Sequence, residues 1–169
     1  GLRPSTELSI VSPFGGPIRP GAFEEVDGVI FSGSGVSWAT DAPEAEGLRK
    51  TMETAFAADR PVWGSCNGLQ LAAVVLGGAV GASPKGHEIG VALDIALSKA
   101  GRDHPMMVGR SNSFAVPTVH RDEVQQLPEG AVVLASNGHS DVQAMVYDRG
   151  GVDFWGTQYH PELSAADVG

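Results

Sequence analysis

Hydrophobic residues in the first half of the chain form three short runs, and each run predicts a strand. The strands are expected at residues 8–11, 26–32 and 61–63. Within the second run, Val29, Ile30 and Phe31 are continuously apolar, which is typical of a strand covered on both faces. Residues 12–22 are rich in Pro and Gly, so we expect a loop between the first two strands.

A helical periodicity separates the second and third runs. Apolar residues at Leu48 and Met52 begin a helical spacing that predicts a helix over residues 42–58, with one face packed on the sheet. Asp41 and Glu44 have the spacing of a capping box, which favours a helix start at this point.

The third run is followed by small and apolar residues that predict a second helix over residues 69–76. The order strand, helix, strand, helix predicts a parallel α/β sheet. The second half of the chain is rich in strands that are separated by turns, and we expect it to be partly antiparallel. Its strands are expected at residues 89–95, 113–119, 131–135, 142–147 and 152–157.

Composition and charge narrow the class of protein. The 169 residues fit one domain, and the formal net charge of −9 argues against nucleic acid or an anionic membrane as a partner. The single cysteine excludes an internal disulfide and fits a reducing compartment, so we expect a cytoplasmic protein. No apolar run reaches the length of a transmembrane helix, so we expect no membrane partner.

That single cysteine, Cys66, lies between the third predicted strand and the second predicted helix. Gly64 and Gly68 stand two residues before and two residues after it, which is the spacing of a nucleophile elbow. Glycines remove the Cβ atoms that would clash in such a turn, and the helix behind it favours a thiolate. The alternative is a buried cysteine that acts as a small hydrophobe in a strand–helix unit.

Two further segments carry residues that a thiol nucleophile needs. Gly33, Ser34 and Gly35 follow a buried strand, and their backbone N–H groups could stabilise an oxyanion, although an ordinary tight loop explains them equally well. His160 and Glu162 follow the last predicted strand, where the imidazole would act as a base and the carboxylate would orient it. A surface turn with an exposed carboxylate is the alternative.

The other four histidines show no metal-ligand spacing with another histidine, a cysteine or a carboxylate. We interpret them as surface or loop residues, and we expect no metal site. They are His87, His104, His120 and His139.

Two motifs together resemble the class I, triad-type glutamine amidotransferases. The first is Gly64-Ser65-Cys66-Asn67-Gly68-Leu69-Gln70, and the second is Gln158-Tyr159-His160-Pro161-Glu162. The segment from Asp27 to Gly35 looks like the oxyanion strand and loop of the family. The segment from Val119 to Val124 looks like the one that lies along bound glutamine. The similarity extends over nearly the whole chain and is greatest to stand-alone members often labelled GMP synthase-like.

The resemblance implies a role for each residue at these positions. Cys66 would attack the side-chain amide of glutamine, His160 would take the thiol proton and return one to the leaving ammonia, and Glu162 would orient His160. The oxyanion hole would consist of backbone N–H groups of Gly33, Ser34 and Asn67. Gln70 would contact the α-amino and α-carboxylate end of glutamine, and Arg121 and Asp122 would contribute main-chain contacts. A γ-glutamyl thioester would form and be hydrolysed, with no metal or organic cofactor.

The resemblance also implies the fold, a flavodoxin-like three-layer α/β sandwich with a mostly parallel central sheet and a strand-rich second half. The family's oxyanion turn is commonly Gly-Gly-Pro, whereas this chain has Gly33-Ser34-Gly35, and backbone donors do not require that identity. Residues 1–169 would form one amidotransferase-like domain without the family's usual first strand and helix and without its final helix.

Three functions remain open from the sequence. The first is hydrolysis of glutamine, with ammonia passed to a separate synthase chain. The second is stand-alone hydrolysis of γ-glutamyl amides or peptides by the same triad. The third is a non-catalytic relative that acts as a binding module. The retention of Cys66, His160 and Glu162 together argues against the third.

Overall fold

The computed structural model describes residues 5–13, 18–19 and 21–168. The helices are α1 (Glu46–Ala57), α2 (Asn67–Val75) and α3 (Lys99–Asp103). The strands are β1 (Val29–Phe31), β2 (Val62–Ser65), β3 (Ala79–Ala82), β4 (Glu88–Leu97), β5 (Ser113–His120), β6 (Asp122–Gln126), β7 (Val132–Ser136), β8 (Ala144–Arg149) and β9 (Val152–Thr157). Short 3₁₀ turns cover Pro43–Ala45, Pro105–Met107 and Ala165–Asp167.

Seven strands form one mixed sheet in the order β1-β2-β9-β8-β7-β4-β5. The expected parallel sheet is found in part of it, because β1, β2 and β9 run parallel. The strands of the second half pair antiparallel, as their turn-separated pattern predicts. Since β2 and β9 are parallel neighbours, their carboxyl ends meet at one edge of the sheet, with Ser65 opposite Thr157. The segments after Ser65 and after Thr157 are therefore brought together.

The central strands bury both faces. On β8, Met145 packs in an apolar cluster with Met52 of α1 and Leu69 of α2. The next residue, Val146, packs in a second cluster with Leu134. Because successive side chains of a strand point to opposite faces, the two clusters lie on opposite sides of the sheet.

Helices cover both sides and complete the α/β architecture. α1 and α2 contact each other and the parallel strands, while α3 packs against β7. At that contact Gly101 lies against the carbonyl of Leu134 with no space for a side chain. The remaining strands, β3 and β6, form a separate antiparallel pair beside α2 that the sequence pattern did not predict.

Three sequence predictions about the fold are wrong. Residues 8–11 form no strand, and Ile10 is 95% exposed. A run of four residues cannot specify its pairing, because strand preference mainly reflects packing against cross-strand neighbours. Ile30 is 64% exposed, because β1 is the edge strand and only its other face packs against the core. The capping box of Asp41 and Glu44 does not form, since α1 is preceded instead by the 3₁₀ turn without a side-chain cap.

The predicted loop over residues 12–22 lies partly outside the described residues. In the described ranges, no helix is long and apolar enough to cross a membrane.

Candidate active site

Cys66 forms the turn between β2 and α2, as its glycine-flanked position predicts. Its backbone lies at φ 48° and ψ −100°, and such a positive φ is strained for a residue with a Cβ. The turn is held by the Cys66 N–H, which donates to the Thr157 carbonyl over 2.7 Å. A Cβ on Gly64 would lie 2.6 Å from the backbone carbon of Gly68, so the close approach of strand and helix requires glycine there.

The thiol of Cys66 is buried, with the residue 6% exposed. Its Sγ lies 3.7 Å from the Val119 carbonyl oxygen, to which it donates, and 3.5 Å from the side-chain nitrogen of Gln158. The pKa of the thiol is raised to about 11, mainly by burial and to a smaller extent by the nearby carboxylates of Glu162 and Asp122. The backbone N–H of Asn67 and the Gln158 amide oppose this rise. Cys66 is therefore a thiol at neutral pH.

His160 and Glu162 are paired, as their spacing predicts. His160 Nδ1 lies 2.7 Å from Glu162 Oε1, and Ser65 Oγ donates to the same oxygen over 2.9 Å. Burial raises the pKa of Glu162, but the hydrogen bonds from His160 and Ser65 outweigh it and leave the pKa below its ordinary value. Glu162 is therefore a carboxylate, and its hydrogen bond to Nδ1 orients the ring. The sequence pattern had assigned nothing to Ser65.

Gly33 lies close to both Cys66 and His160. A Cβ built on Gly33 would lie 2.9 Å from His160 Cε1 and 3.7 Å from Cys66 Cβ. The predicted oxyanion turn is thus in contact with both predicted catalytic side chains. Ser34 is exposed beside it and accepts from the Val36 N–H over 3.4 Å. The Asn67 N–H lies at the start of α2 and interacts with the Cys66 sulfur.

The three predicted substrate contacts lie in one cluster beside Cys66. Gln70 Nε2 donates to the Asp122 carbonyl over 2.7 Å and to Gln158 Oε1 over 3.1 Å. The Asp122 carboxylate accepts hydrogen bonds from Nε and Nη2 of the neighbouring Arg121, at 2.7 and 2.8 Å. Arg121 also donates to the Ser37 carbonyl over 3.1 Å. Gln70 and Asp122 are buried and paired within the protein, whereas the Arg121 side chain is 43% exposed.

His120 is not a surface residue, contrary to the sequence interpretation. Its side chain is 1% exposed, and Nε2 lies 2.7 Å from Glu88 Oε2 while Nδ1 lies 3.1 Å from the Asp122 carbonyl oxygen. Burial raises the pKa of Glu88, but donors from His120, Asn137 and Gln143 outweigh it and lower the pKa. The pairing escaped prediction from the sequence because it depends on β4 lying beside β5, with Glu88 opposite His120.

No group of three or more histidine, cysteine, aspartate or glutamate residues is arranged to hold a metal ion in the part of the chain that the structure describes.

Comparison with known proteins places the chain in a family. Residues 11–169 match the family Glutamine amidotransferase class-I. The chain is 37% identical over 155 residues to a Gamma-glutamyl-L-1-hydroxyisopropylamide hydrolase from a Pseudomonas species, covering 90% of this chain and 52% of the relative. The chain therefore spans about half the length of that hydrolase.

Two further relatives are matched over a larger share of their own length. The glutamine-hydrolyzing GMP synthase subunit from Methanocaldococcus jannaschii is 30% identical over 148 residues, with 86% of this chain and 70% of the relative covered. The crystal structure of a glutamine amidotransferase from Thermotoga maritima superposes with a TM-score of 0.73 at 25% identity, covering 91% of this chain and 64% of the other.

Proposed function

Because the chain belongs to the class I glutamine amidotransferases, we propose that it hydrolyses the side-chain amide of glutamine, or of another γ-glutamyl compound, with Cys66 as nucleophile. The observation that carries the proposal is the contact of Gly33 with both Cys66 and the His160–Glu162 pair. An oxyanion donor, a nucleophile and an oriented base are the three parts that acyl transfer by a thiol requires.

In the proposed first step, His160 takes the proton of the Cys66 thiol while the sulfur attacks the carbonyl carbon. Backbone N–H groups of Gly33, Ser34 and Asn67 stabilise the oxyanion that develops. His160 then gives its proton to the amide nitrogen, the carbon–nitrogen bond breaks, and the amine leaves. This leaves a γ-glutamyl thioester on the sulfur.

In the second step, His160 takes a proton from water, which attacks the thioester and releases the γ-carboxylate. The proton returns to the sulfur. Since the buried thiol has a raised pKa, His160 must accept its proton as the substrate arrives, and Glu162 stabilises the imidazolium that forms. Gln70 would contact the α-amino and α-carboxylate end of the substrate, with main-chain contacts from Arg121 and Asp122.

Two leaving groups fit this chemistry. With glutamine the product is ammonia, and a separate synthase chain would consume it, as the name of the Methanocaldococcus relative suggests. With a γ-glutamyl alkylamide the product is an amine, and no partner is needed. The relative named Gamma-glutamyl-L-1-hydroxyisopropylamide hydrolase favours this second candidate, with the higher identity of 37%.

The first experiment is covalent labelling with a diazo ketone that mimics glutamine, followed by intact-mass measurement. We expect one adduct per chain, absent in Cys66→Ala and suppressed by excess glutamine. A folded protein that takes up no adduct would contradict the glutamine site.

The second experiment compares kcat/KM for glutamine with kcat/KM for γ-glutamyl alkylamides, in the absence of any partner chain. A higher value for the alkylamides would assign the chain to the hydrolases. A higher value for glutamine would favour an amidotransferase, and equal values would contradict a dedicated alkylamide hydrolase.

A further inference from the structure

Gln158 has a place beside the nucleophile that the proposed mechanism does not use. It follows β9 directly and is 0% exposed. Its backbone N–H donates to the Gln143 carbonyl over 2.9 Å, which fixes the position of its Cα. Its side-chain nitrogen lies 3.5 Å from Cys66 Sγ, and its side-chain oxygen lies 3.1 Å from Gln70 Nε2.

The hydrogen-bond partners determine which end of the Gln158 amide faces the sulfur. A backbone carbonyl can only accept, so the Gln70 atom 2.7 Å from the Asp122 carbonyl must be the nitrogen. The same nitrogen faces the Gln158 side chain, which must therefore present its oxygen there. The NH₂ group of Gln158 is left facing Cys66.

The far end of this chain of hydrogen bonds is anchored by a buried pair. The Asp122 carbonyl that fixes Gln70 also lies 3.1 Å from His120 Nδ1, and His120 Nε2 lies 2.7 Å from Glu88. The orientation of the Gln158 amide is therefore set by groups of β4, β5, β6 and α2 together. None of these contacts involves His160 or Glu162.

We propose that Gln158 is a catalytic residue that donates an N–H to Cys66 Sγ and stabilises the thiolate, and that Gln70 is a positioning residue that holds the Gln158 amide in this orientation. The inference rests on the proposed function of Cys66 as nucleophile. When His160 has taken the thiol proton, the sulfur carries a full negative charge, and a charge-assisted hydrogen bond to it is stronger than the bond to the thiol.

The donor acts at two points of the reaction. It stabilises the thiolate before the sulfur attacks the carbonyl carbon. It stabilises the same thiolate when the carbon–sulfur bond of the thioester breaks and sulfur leaves. In the thioester the sulfur is a weak acceptor, so the hydrogen bond is strongest when the sulfur is charged.

The test measures the thiol itself and needs no substrate. The rate of Cys66 alkylation by iodoacetamide is recorded against pH for the wild type, for Gln158→Met and for Gln158→Glu. Gln125→Met is the control, because Gln125 is an exposed glutamine whose side chain donates to the Ala82 carbonyl and belongs to none of these contacts. Circular dichroism establishes that each variant is folded.

We expect the pH profile of alkylation in Gln158→Met to move upward by about one pH unit, which makes alkylation about tenfold slower at each pH below the thiol pKa. Gln158→Glu should be slower still, because its carboxylate repels the thiolate. Gln125→Met should follow the wild-type profile. A change that only altered access to the thiol would lower the plateau rate at high pH and leave the midpoint in place.

The proposal is overturned if folded Gln158→Met or folded Gln158→Glu shows the wild-type profile, or if Gln125→Met shows the same upward displacement. If Gln158→Met does not fold, Gln70→Met takes its place, since Gln70 reaches the sulfur only through Gln158. An unmoved midpoint in Gln70→Met then overturns the proposal. Labelling of the wild type by the diazo ketone separately decides the glutamine site, so the two failures are distinguishable.

Discussion

Ser65 and Glu162 are 97 positions apart in the sequence, and the Ser65 hydroxyl donates to the Glu162 carboxylate over 2.9 Å. The oxygen that accepts this hydrogen bond is the one that faces His160 Nδ1. The residue before the nucleophile thus helps to hold the carboxylate that orients the base. This link is formed because β2 and β9 are parallel neighbours whose carboxyl ends coincide.

Replacing Ser65 by alanine should weaken the orientation of His160 without removing it. We expect Ser65→Ala to lower kcat/KM about fivefold, because one hydrogen bond to a half-exposed carboxylate contributes about 1 kcal/mol. The pKa of Glu162 should rise toward its ordinary value when this donor is lost. Activity requires the Glu162 carboxylate, so the acid limb of the pH profile should move to higher pH.

Steady-state kinetics against pH checks this, with Ser164→Ala as control. Ser164 is an exposed serine close in sequence to Glu162, and its hydroxyl contacts Asp167. An acid limb that stays in place in Ser65→Ala would show that the serine does not act on Glu162.

A side chain on Gly33 should disable the site without unfolding the protein. The added Cβ of Gly33→Ala would lie 2.9 Å from His160 Cε1, so the imidazole must shift from the position in which Glu162 holds it. We expect kcat/KM to fall by about 10²-fold, as a displacement of about 1 Å of a catalytic group does. Gly35→Ala is the matched control, because a Cβ there meets no atom within 4 Å.

Kinetics and thermal melting should distinguish the two variants. Gly33→Ala should lose activity and keep its melting temperature, while Gly35→Ala should keep both. Equal activity in the two variants would contradict the contact between Gly33 and His160.

The raised pKa of Cys66 predicts how stability depends on pH. The unfolded thiol ionises around its ordinary value of 9.0, whereas the folded thiol ionises at about 11. Stability from this group is therefore complete below pH 9.0 and is lost as the pH rises through 11. The loss amounts to about 3 kcal/mol in the free energy of unfolding.

Cys66→Ala isolates this contribution, because Tyr159 also has a pKa raised by burial, to about 12, and is present in both proteins. Urea unfolding measures both proteins. Between pH 9.0 and 11 the free energy of unfolding should fall more steeply with pH in the wild type than in Cys66→Ala. Parallel pH dependences would mean that the folded thiol ionises as easily as the unfolded one.

The sequence alone predicts some parts of this molecule better than others. Cys66 was predicted as a turn residue because Gly64 and Gly68 leave a local signal, and the structure shows why both positions exclude a Cβ. The convergence of His160 and Glu162 with Cys66 was predicted only through two motifs of a known family. Their assigned catalytic roles stay predictions that the labelling and kinetic experiments address.

Local sequence patterns do not predict residues whose contacts depend on long-range pairing. His120 was interpreted as a surface residue, because a histidine in a polar segment gives no sign of the glutamate that will lie opposite it on β4. Gln158 was quoted only as part of a motif, since its contact with Cys66 depends on how β2 and β9 meet. The strand expected at residues 8–11 failed for the same reason, because nothing local specifies a strand partner.

The His120–Glu88 pair leads to a last prediction. Glu88 Oε2 lies 2.7 Å from His120 Nε2 and accepts from Gln143 Nε2 over 2.7 Å, while Oε1 accepts from Asn137 Nδ2 over 2.6 Å. An amide cannot accept on both of its ends, so Glu88→Gln must leave at least one donor of this buried cluster without an acceptor. We expect a loss of about 3 kcal/mol in the free energy of unfolding, as for a broken buried pair.

Glu129→Gln, at an exposed glutamate, is the control and should change stability by less than about 0.5 kcal/mol. Urea denaturation measures both variants. Because His120 also holds the Asp122 carbonyl that fixes Gln70, folded Glu88→Gln should show a raised KM for the substrate. A variant as stable as Glu129→Gln with an unchanged KM would mean that this cluster neither stabilises the fold nor positions the substrate segment.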